Sequence, residues 1–63
     1  MIETINLRRA VQIIRTREPK GQFMVQEKHK YVGIDNRTGD AWCEEFDTEE
    51  QCKKWLKDAP TMD

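Results

Sequence analysis

The side chains best suited to chemistry are one histidine and two cysteines, His29, Cys43 and Cys52. A general base needs an orienting partner and a partly dry pocket, and His29 lies between two lysines in a predicted turn, where we expect neither. Two cysteines and one histidine without a C-x-x-C pair are too few for a four-ligand zinc site. Cys52 is on a predicted apolar helix stripe, and Cys43 lacks a nucleophile motif. We therefore expect free thiols, no metal and no cofactor.

The remaining residue types that often carry catalysis are dispersed along the chain. Glu44 and Glu45 are neighbours on a predicted strand, so their carboxylates should point to opposite faces and cannot work as an acid and base pair. Gly21, Gly33 and Gly39 are too far apart to form a phosphate-binding glycine loop. The sequence therefore predicts that the protein is not an enzyme.

The distribution of charge gives the clearest indication of a binding surface. The net charge is only -1, but residues 1–30 hold seven Lys or Arg against three acids, and residues 31–63 hold four against nine. Arg8 and Arg9 lie in a predicted first helical turn, where each cation opposes the helix dipole by about 0.3–1 kcal/mol. The cations that could bind nucleic acid are Arg8, Arg9, Arg15, Lys28 and Lys30. The alternatives are a solvated face, or one paired with the acidic half of this chain or of a second copy.

A predicted hairpin must position the central residues. The stretch from Asp35 to Asp40 predicts a three-residue loop, Arg37 to Gly39, with a bulge at the glycine. The resulting register places Asn36 opposite Asp40, Ile34 opposite Trp42, Val32 opposite Glu44 and Lys30 opposite Phe46.

This register assigns the hairpin residues to two faces. The better core face carries Val32, Ile34, Trp42 and Phe46. The other face is thin and partly polar, and it carries Tyr31, Gly33, Asp35, Ala41, Cys43 and Glu45. If no helix covers the second face, Tyr31, Gly33, Ala41 and Cys43 are a candidate surface for a second copy or another protein.

Helices are predicted on both sides of three strands. The first runs from about 5 to 17, is capped by Thr4 or Asn6, and ends before Glu18-Pro19. Strands are expected at about 22–28, 30–36 and 40–46. The second helix runs from about 48 to 58, with an N-cap at Asp47 and a pair between Glu49 and Lys53.

The predicted fold is α+β, one small domain over residues 1–63, with a three-stranded antiparallel meander sheet and two helices in the order αβββα. We expect the C-terminal helix to pack on Trp42 and Phe46 with the N-terminal helix beside it. The alternative places the N-terminal helix on the opposite face, near Gly33, Ala41 and Cys43. The predicted core is Leu7, Val11, Ile14, Phe23, Val25, Val32, Ile34, Trp42, Phe46, Cys52, Trp55 and Leu56.

Composition limits both stability and location. With 37% charged residues and a mean hydropathy of -0.93, the apolar supply is small. A chain of this size buries only about 60% of its unfolded surface, so we expect modest stability unless a partner contributes. The start lacks a signal-peptide pattern, and no segment approaches the roughly 18 apolar residues of a membrane span. The sequence therefore predicts a cytoplasmic protein with no membrane partner.

The pattern I-D-N-x-T-G-D-A-W-x-E-E-F, continuing into x-T-x-E-x-C-x-x-W-L, covers Ile34 to Leu56, somewhat over a third of the chain. It resembles small uncharacterised proteins of prophages and mobile elements of Gram-positive bacteria. The resemblance implies a genomic setting in which small accessory proteins often bind host or element proteins, and it carries over no functional residue. We therefore expect a non-enzymatic accessory protein acting by protein binding, with a homodimer as one form. The alternative is a weak nucleic-acid binder using the N-terminal helix and the Lys28–Lys30 loop.

Overall fold

Four strands and two helices follow one another in the computed structural model, which describes residues 2–58. Their bounds are β1 (Ile2–Ile5), α1 (Leu7–Thr16), β2 (Gln22–Gln26), β3 (Tyr31–Asp35), β4 (Trp42–Phe46) and α2 (Glu49–Asp58). The strands form one sheet in the order β1-β2-β3-β4, with β1 parallel to β2 and the other neighbours antiparallel. The α+β class is confirmed, whereas the prediction of a three-stranded, wholly antiparallel sheet is wrong.

The additional strand, β1, lies at the start of the chain and pairs with a strand twenty residues further on. Its sequence, Ile-Glu-Thr-Ile, is too short to show alternation. Ile2 contacts the core on one face of the sheet, and Ile5 contacts the core on the other. Because β1 and β2 are parallel, the chain must cross over the sheet between them, and α1 forms that crossover.

The ends of both helices have local causes. Asn6 caps α1, since its side chain accepts a hydrogen bond from the Arg9 backbone N–H at 2.8 Å. Arg17 ends the same helix in the left-handed conformation, with φ at 62°. At α2, Thr48 rather than the predicted Asp47 is the capping residue, because its Oγ1 accepts from the backbone N–H of Gln51 at 3.1 Å.

The helices lie on opposite faces of the sheet, so the side-by-side arrangement is wrong. The alternative is right about the opposite faces but wrong about Gly33, because α2 and not the N-terminal helix packs there. On the face covered by α1, the α1 face, the buried residues are Ala10, Ile13, Phe23, Val25 and Ile34. On the face covered by α2, the α2 face, they are Met24, Cys52 and Leu56. The predicted core omitted Ala10, Ile13 and Met24, and it wrongly included Leu7, Val11, Ile14 and Trp42, which are exposed.

The absence of a side chain at Gly33 explains why α2 packs on this face of the sheet. A Cβ atom at this position would lie 3.0 Å from Trp55 Cε3 and 3.1 Å from Cys52 Sγ, so only glycine leaves room for the helix side chains. The face that looked thin in the sequence is therefore the face on which α2 packs closely. Phe46 also contacts this core, as predicted for the second helix, with its ring centroid 5.7 Å from that of Trp55.

The pairing of β3 with β4 differs by one residue from the prediction. Ile34 lies opposite Cys43, and Asp35 lies opposite Trp42. The loop between the strands spans residues 36–41 instead of three residues, with Gly39 at φ 88° and Ala41 at φ 50°. The slip moves Trp42 to the α2 face and Cys43 to the α1 face.

A buried asparagine fixes the longer loop. Asn36 is fully buried, and its Nδ2 donates to the Pro19 carbonyl at 2.9 Å while its Oδ1 accepts from the Ala41 N–H at 3.1 Å. Its backbone N–H also donates to the carbonyl of Gly21 at 2.7 Å. One side chain thus ties the β3–β4 loop to the segment that enters β2.

Asp35, the residue before Asn36, is buried, and its charge is paired with that of Arg37. Arg37 holds this carboxylate through two hydrogen bonds, Nε to Oδ1 at 2.9 Å and Nη2 to Oδ2 at 2.8 Å. Hydrogen bonding by Arg37 lowers the pKa of Asp35 from its ordinary value, against the opposing effect of burial.

Acid should remove the stabilisation that this pair supplies. Because the pKa of Asp35 is lower in the folded chain, its ionised form stabilises the fold above the ordinary value of 3.8, and this contribution is lost as the pH falls through the lowered value. In thermal unfolding between about pH 5 and pH 2, the unchanged protein should therefore lose melting temperature more steeply than Asp35→Asn. Equal slopes would contradict the assignment.

Candidate protein-binding surface

The four residues of the predicted partner surface do not share a face. Gly33 is buried under α2, and Tyr31 is half-buried against the same core. Ala41 packs against the core under α1, and Cys43 is exposed on the α1 face. The one-residue slip of β4 and the position of α2 separate these residues, so they do not form one surface.

The basic residues are partly brought together. Arg8 and Arg9 lie in the first turn of α1, close to the end of β1, and Lys28 and Lys30 lie in the turn after β2. Since β1 and β2 are parallel, these four cations lie at the same end of the sheet. Arg15 is a further two helical turns along α1 and therefore lies toward the other end.

Acids are interspersed with these cations. Lys30 Nζ lies 2.8 Å from Glu45 Oε2, and this hydrogen bond raises the pKa of Lys30, with a smaller contribution from Glu27. The end of the sheet that gathers the cations is thus of mixed charge.

The histidine and the two cysteines lie apart in the fold. His29 is exposed in the β2–β3 turn, while Cys43 and Cys52 are free thiols on opposite faces. Burial raises the pKa of both thiols, and at Cys43 the nearby Arg17 opposes that effect. Both cysteines are therefore protonated at neutral pH.

Between residues 2 and 58, no three His, Cys, Asp or Glu side chains are grouped so that they could hold a metal ion. Neither helix in that range has the length and apolar character to cross a membrane.

An open groove of about 470 Å³ lies between β4 and α2. Phe46 and Trp55 form its apolar part, and the polar residues around them are Glu45, Asp47, Gln51, Lys54 and Asp58. The groove is suited to receiving a side chain of a partner more than to enclosing a small substrate.

The most unusual surface is an aliphatic stripe on α1. Leu7, Val11 and Ile14 are 55%, 45% and 38% exposed. Their spacing of four and three residues places them on one side of the helix, next to the side on which Ala10 and Ile13 are buried. We call these three residues the α1 stripe.

The width of the apolar arc explains why the stripe is exposed. At 100° per residue, the five apolar side chains of α1 spread over roughly 160° of the helix circumference. The sheet below α1 takes up Ala10 and Ile13, and the rest of the arc extends round one side of the helix. This width is visible in the sequence and could have indicated that α1 has more apolar surface than one sheet can bury.

The stripe borders a part of the sheet that lacks a helix. Parallel β-α-β crossovers are right-handed in about 98% of cases, and in that hand the stripe lies on the side of α1 toward β3 and β4. Arg17, at the end of α1, also reaches toward these strands, because its Nη1 donates to the Asp40 carbonyl at 2.7 Å.

On the α1 face, Ile34 of β3 is buried in the core under α1, and β3 and β4 also present three less buried residues, Val32, which is half-buried, and Cys43 and Glu45, which are exposed. We call these three residues the open half. Within residues 2–58 no second helix covers it, because α2 packs on the other face.

Comparison with known proteins does not assign this chain to a family. No protein-family model matches the sequence, and neither the curated proteins nor the solved structures compared with it give a match.

Proposed function

We propose that this protein is a non-enzymatic accessory protein that acts by binding another protein chain through the α1 stripe and the adjoining open half. The observation that carries the proposal is the exposure of Leu7, Val11 and Ile14 on one side of α1. A contiguous apolar surface rimmed by polar residues is characteristic of a protein interaction site. In a chain with so few apolar residues, leaving three aliphatic side chains in water reduces the stability of the isolated fold.

Two further features support the proposal. The stripe and the open half lie side by side, so one partner helix could contact both. Arg8 and Glu45 provide polar groups of both signs at the margin, an arrangement that favours specific docking over unspecific adhesion. The resemblance of residues 34–56 to prophage and mobile-element proteins supports an accessory role in such an element, in the cytoplasm.

The proposal is tested by photocrosslinking from the α1 stripe inside the cell that naturally produces the protein. A benzophenone amino acid at position 11 should give a discrete adduct with a protein chain, because the partner's apolar residues would contact it directly. The adduct should disappear when Leu7→Asp and Ile14→Asp are added, since two charges on the stripe oppose apolar docking. The adduct is detected by its mass on a gel and identified by mass spectrometry.

The control carries the same amino acid at position 57, on α2. Lys57 is exposed, and α2 packs on the face of the sheet opposite the stripe, so this variant should give no discrete adduct. Equal adducts from positions 11 and 57, or none from position 11, would contradict the proposal.

Nucleic-acid binding is the second candidate, favoured by the position of Arg8, Arg9, Lys28 and Lys30 at one end of the sheet. It predicts an adduct that contains nucleic acid and that weakens steeply with salt. That adduct would be lost in Arg8→Ala/Arg9→Ala and retained in Leu7→Asp/Ile14→Asp. The pairing of Lys30 with Glu45 reduces the positive charge there, so we rank this function second.

A further inference from the structure

We propose that the chain bound by the α1 stripe is a second copy of this protein, so that α1 of each copy lies over the open half of the other. The inference rests on the proposed function, because it names the occupant of the same surface. The dimer would be a sandwich of two sheets with both α1 helices in one layer between them.

The spacing of the strands fits this arrangement. α1 packs mainly on β2. Neighbouring strands lie about 4.8 Å apart, so a helix over β2 and a helix over β4 would have axes about 9.6 Å apart. Packed helices have axes about 8–10 Å apart. The lengths also agree, because the ten residues of α1 span about 15 Å and a five-residue strand about 17 Å.

Symmetry then fixes how the helices meet. A two-fold axis that places each α1 over the other copy's open half must run parallel to the strands, so the two helices point the same way. Leu7, Val11 and Ile14 of one copy would face the same residues of the other. Their spacing of four and three residues is that of the contact seam in a parallel coiled coil.

The charges of the two surfaces are complementary. Arg8 and Arg15 lie on the side of α1 opposite the buried Ala10 and Ile13, so in the dimer they would point at the sheet of the other copy. That sheet presents Glu45, which lies at the same end of the fold as Arg8 because β4 runs in the same direction as β1.

α1 contains three arginines and no acid. Glu45 lies within 2.8 Å of Lys30 of its own copy, and in the dimer Arg8 of the second copy would add a second cation beside the same carboxylate.

A standard stable interface buries about 800 Å² of each partner, roughly one sixth of the 4669 Å² surface of this chain. A dimer would also offset the small core of a 63-residue chain, which association commonly does for domains of this size.

The first test is the molar mass of the purified protein by sedimentation over a concentration series. The unchanged chain should form a dimer whose dissociation constant rises about tenfold or more in Val11→Asp, because a charge in the seam loses its hydration. Gln51→Asp, at an exposed position of α2 and therefore on the other face of the sheet, is the control and should dimerise normally. Circular dichroism should show both variants folded, since both positions are exposed.

The second test exchanges the charges. Arg8→Glu and Glu45→Arg should each weaken self-association, since each homodimer then opposes like charges twice. An equimolar mixture of the two variants should form a heterodimer, in which both contacts again join opposite charges. If the mixture associates no better than the separate variants, the proposed pairing is wrong.

The third test shows whether the two α1 helices of the dimer run parallel. In a Cys43→Ser background, Leu7→Cys should form a disulfide-linked dimer under mild oxidation only if the helices are parallel, because residue 7 then faces its own copy. Gln12→Cys should remain unlinked.

The two proposals fail differently. A purified chain that stays monomeric at all concentrations overturns the homodimer. In that case the proposed function stands if position 11 crosslinks to a different protein. It fails together with the homodimer if position 11 crosslinks to none.

Discussion

Replacing Asn36 with alanine should lower the free energy of unfolding by about 2–4 kcal/mol, because it removes the hydrogen bonds to the Pro19 carbonyl and the Ala41 N–H and leaves a cavity where a fully buried side chain was. Domains of this size have a total stability of only about 3–9 kcal/mol at 0.05–0.15 kcal/mol per residue, so the loss is a large fraction. Urea unfolding followed by tryptophan fluorescence measures it.

Two further variants make the Asn36 test specific. Asn36→Asp keeps the size and the acceptor oxygen but removes the Nδ2 donor and buries a charge, so it should also destabilise the protein. Thr38→Ala, in the exposed part of the same loop, should change the free energy of unfolding by no more than about 0.5 kcal/mol. If Asn36→Ala were as mild as Thr38→Ala, the buried asparagine would not be what holds the loop.

Gly33→Val should destabilise the protein by about 1–3 kcal/mol, the usual cost of overfilling a packed site. Even the first carbon of the new side chain would lie 3.0 Å from Trp55 Cε3, so α2 would have to move away from the sheet. The same urea series reports the loss, and the fluorescence of Trp55 should shift as its ring becomes more exposed.

Whether Gly33→Val destabilises or stabilises the protein tests the position of α2. If Gly33 lay on an uncovered face, valine would stabilise β3 through its higher strand propensity. Cys43→Val, on the neighbouring strand but on the exposed part of the α1 face, is the matched control and should have a small effect. Gly33→Ala combined with Cys52→Ala should be less destabilising than the two single changes added together, because the smaller residue makes room for the new methyl group.

The sequence allowed the helices to be predicted because their signals are local. The cap at Asn6, the break before Pro19 and the acids at the start of α2 each act within a few residues. The predicted pair of Glu49 with Lys53 is also found, at 2.6 Å. Strand positions were likewise close, since alternation and turn residues mark them.

What the sequence did not show depends on contacts between distant residues. The length of the β3–β4 loop follows from the contact of Asn36 with Pro19, seventeen residues away. The pairing of β1 with β2 depends on a crossover through the whole of α1, and the four residues of β1 contain no local pattern that predicts this pairing. The side of α1 that is buried was misjudged because Ile13 and Ile14 are equally apolar, and only the position of the sheet distinguishes them.

The candidate surface was missed for the same reason. Leu7, Val11 and Ile14 have helical spacing, which in most helices indicates the buried side. The predicted partner surface depended on a hairpin register that was one residue off, and such a slip moves every side chain of β4 to the other face.

The position of β2 has a consequence for how the protein unfolds. Phe23 and Val25 belong to the core under α1, whereas Met24 between them belongs to the core under α2. Detaching either helix therefore exposes one side of the same central strand and weakens its hold on the other helix. The two small cores should consequently be lost together, in a single cooperative transition, although the sheet keeps them from touching.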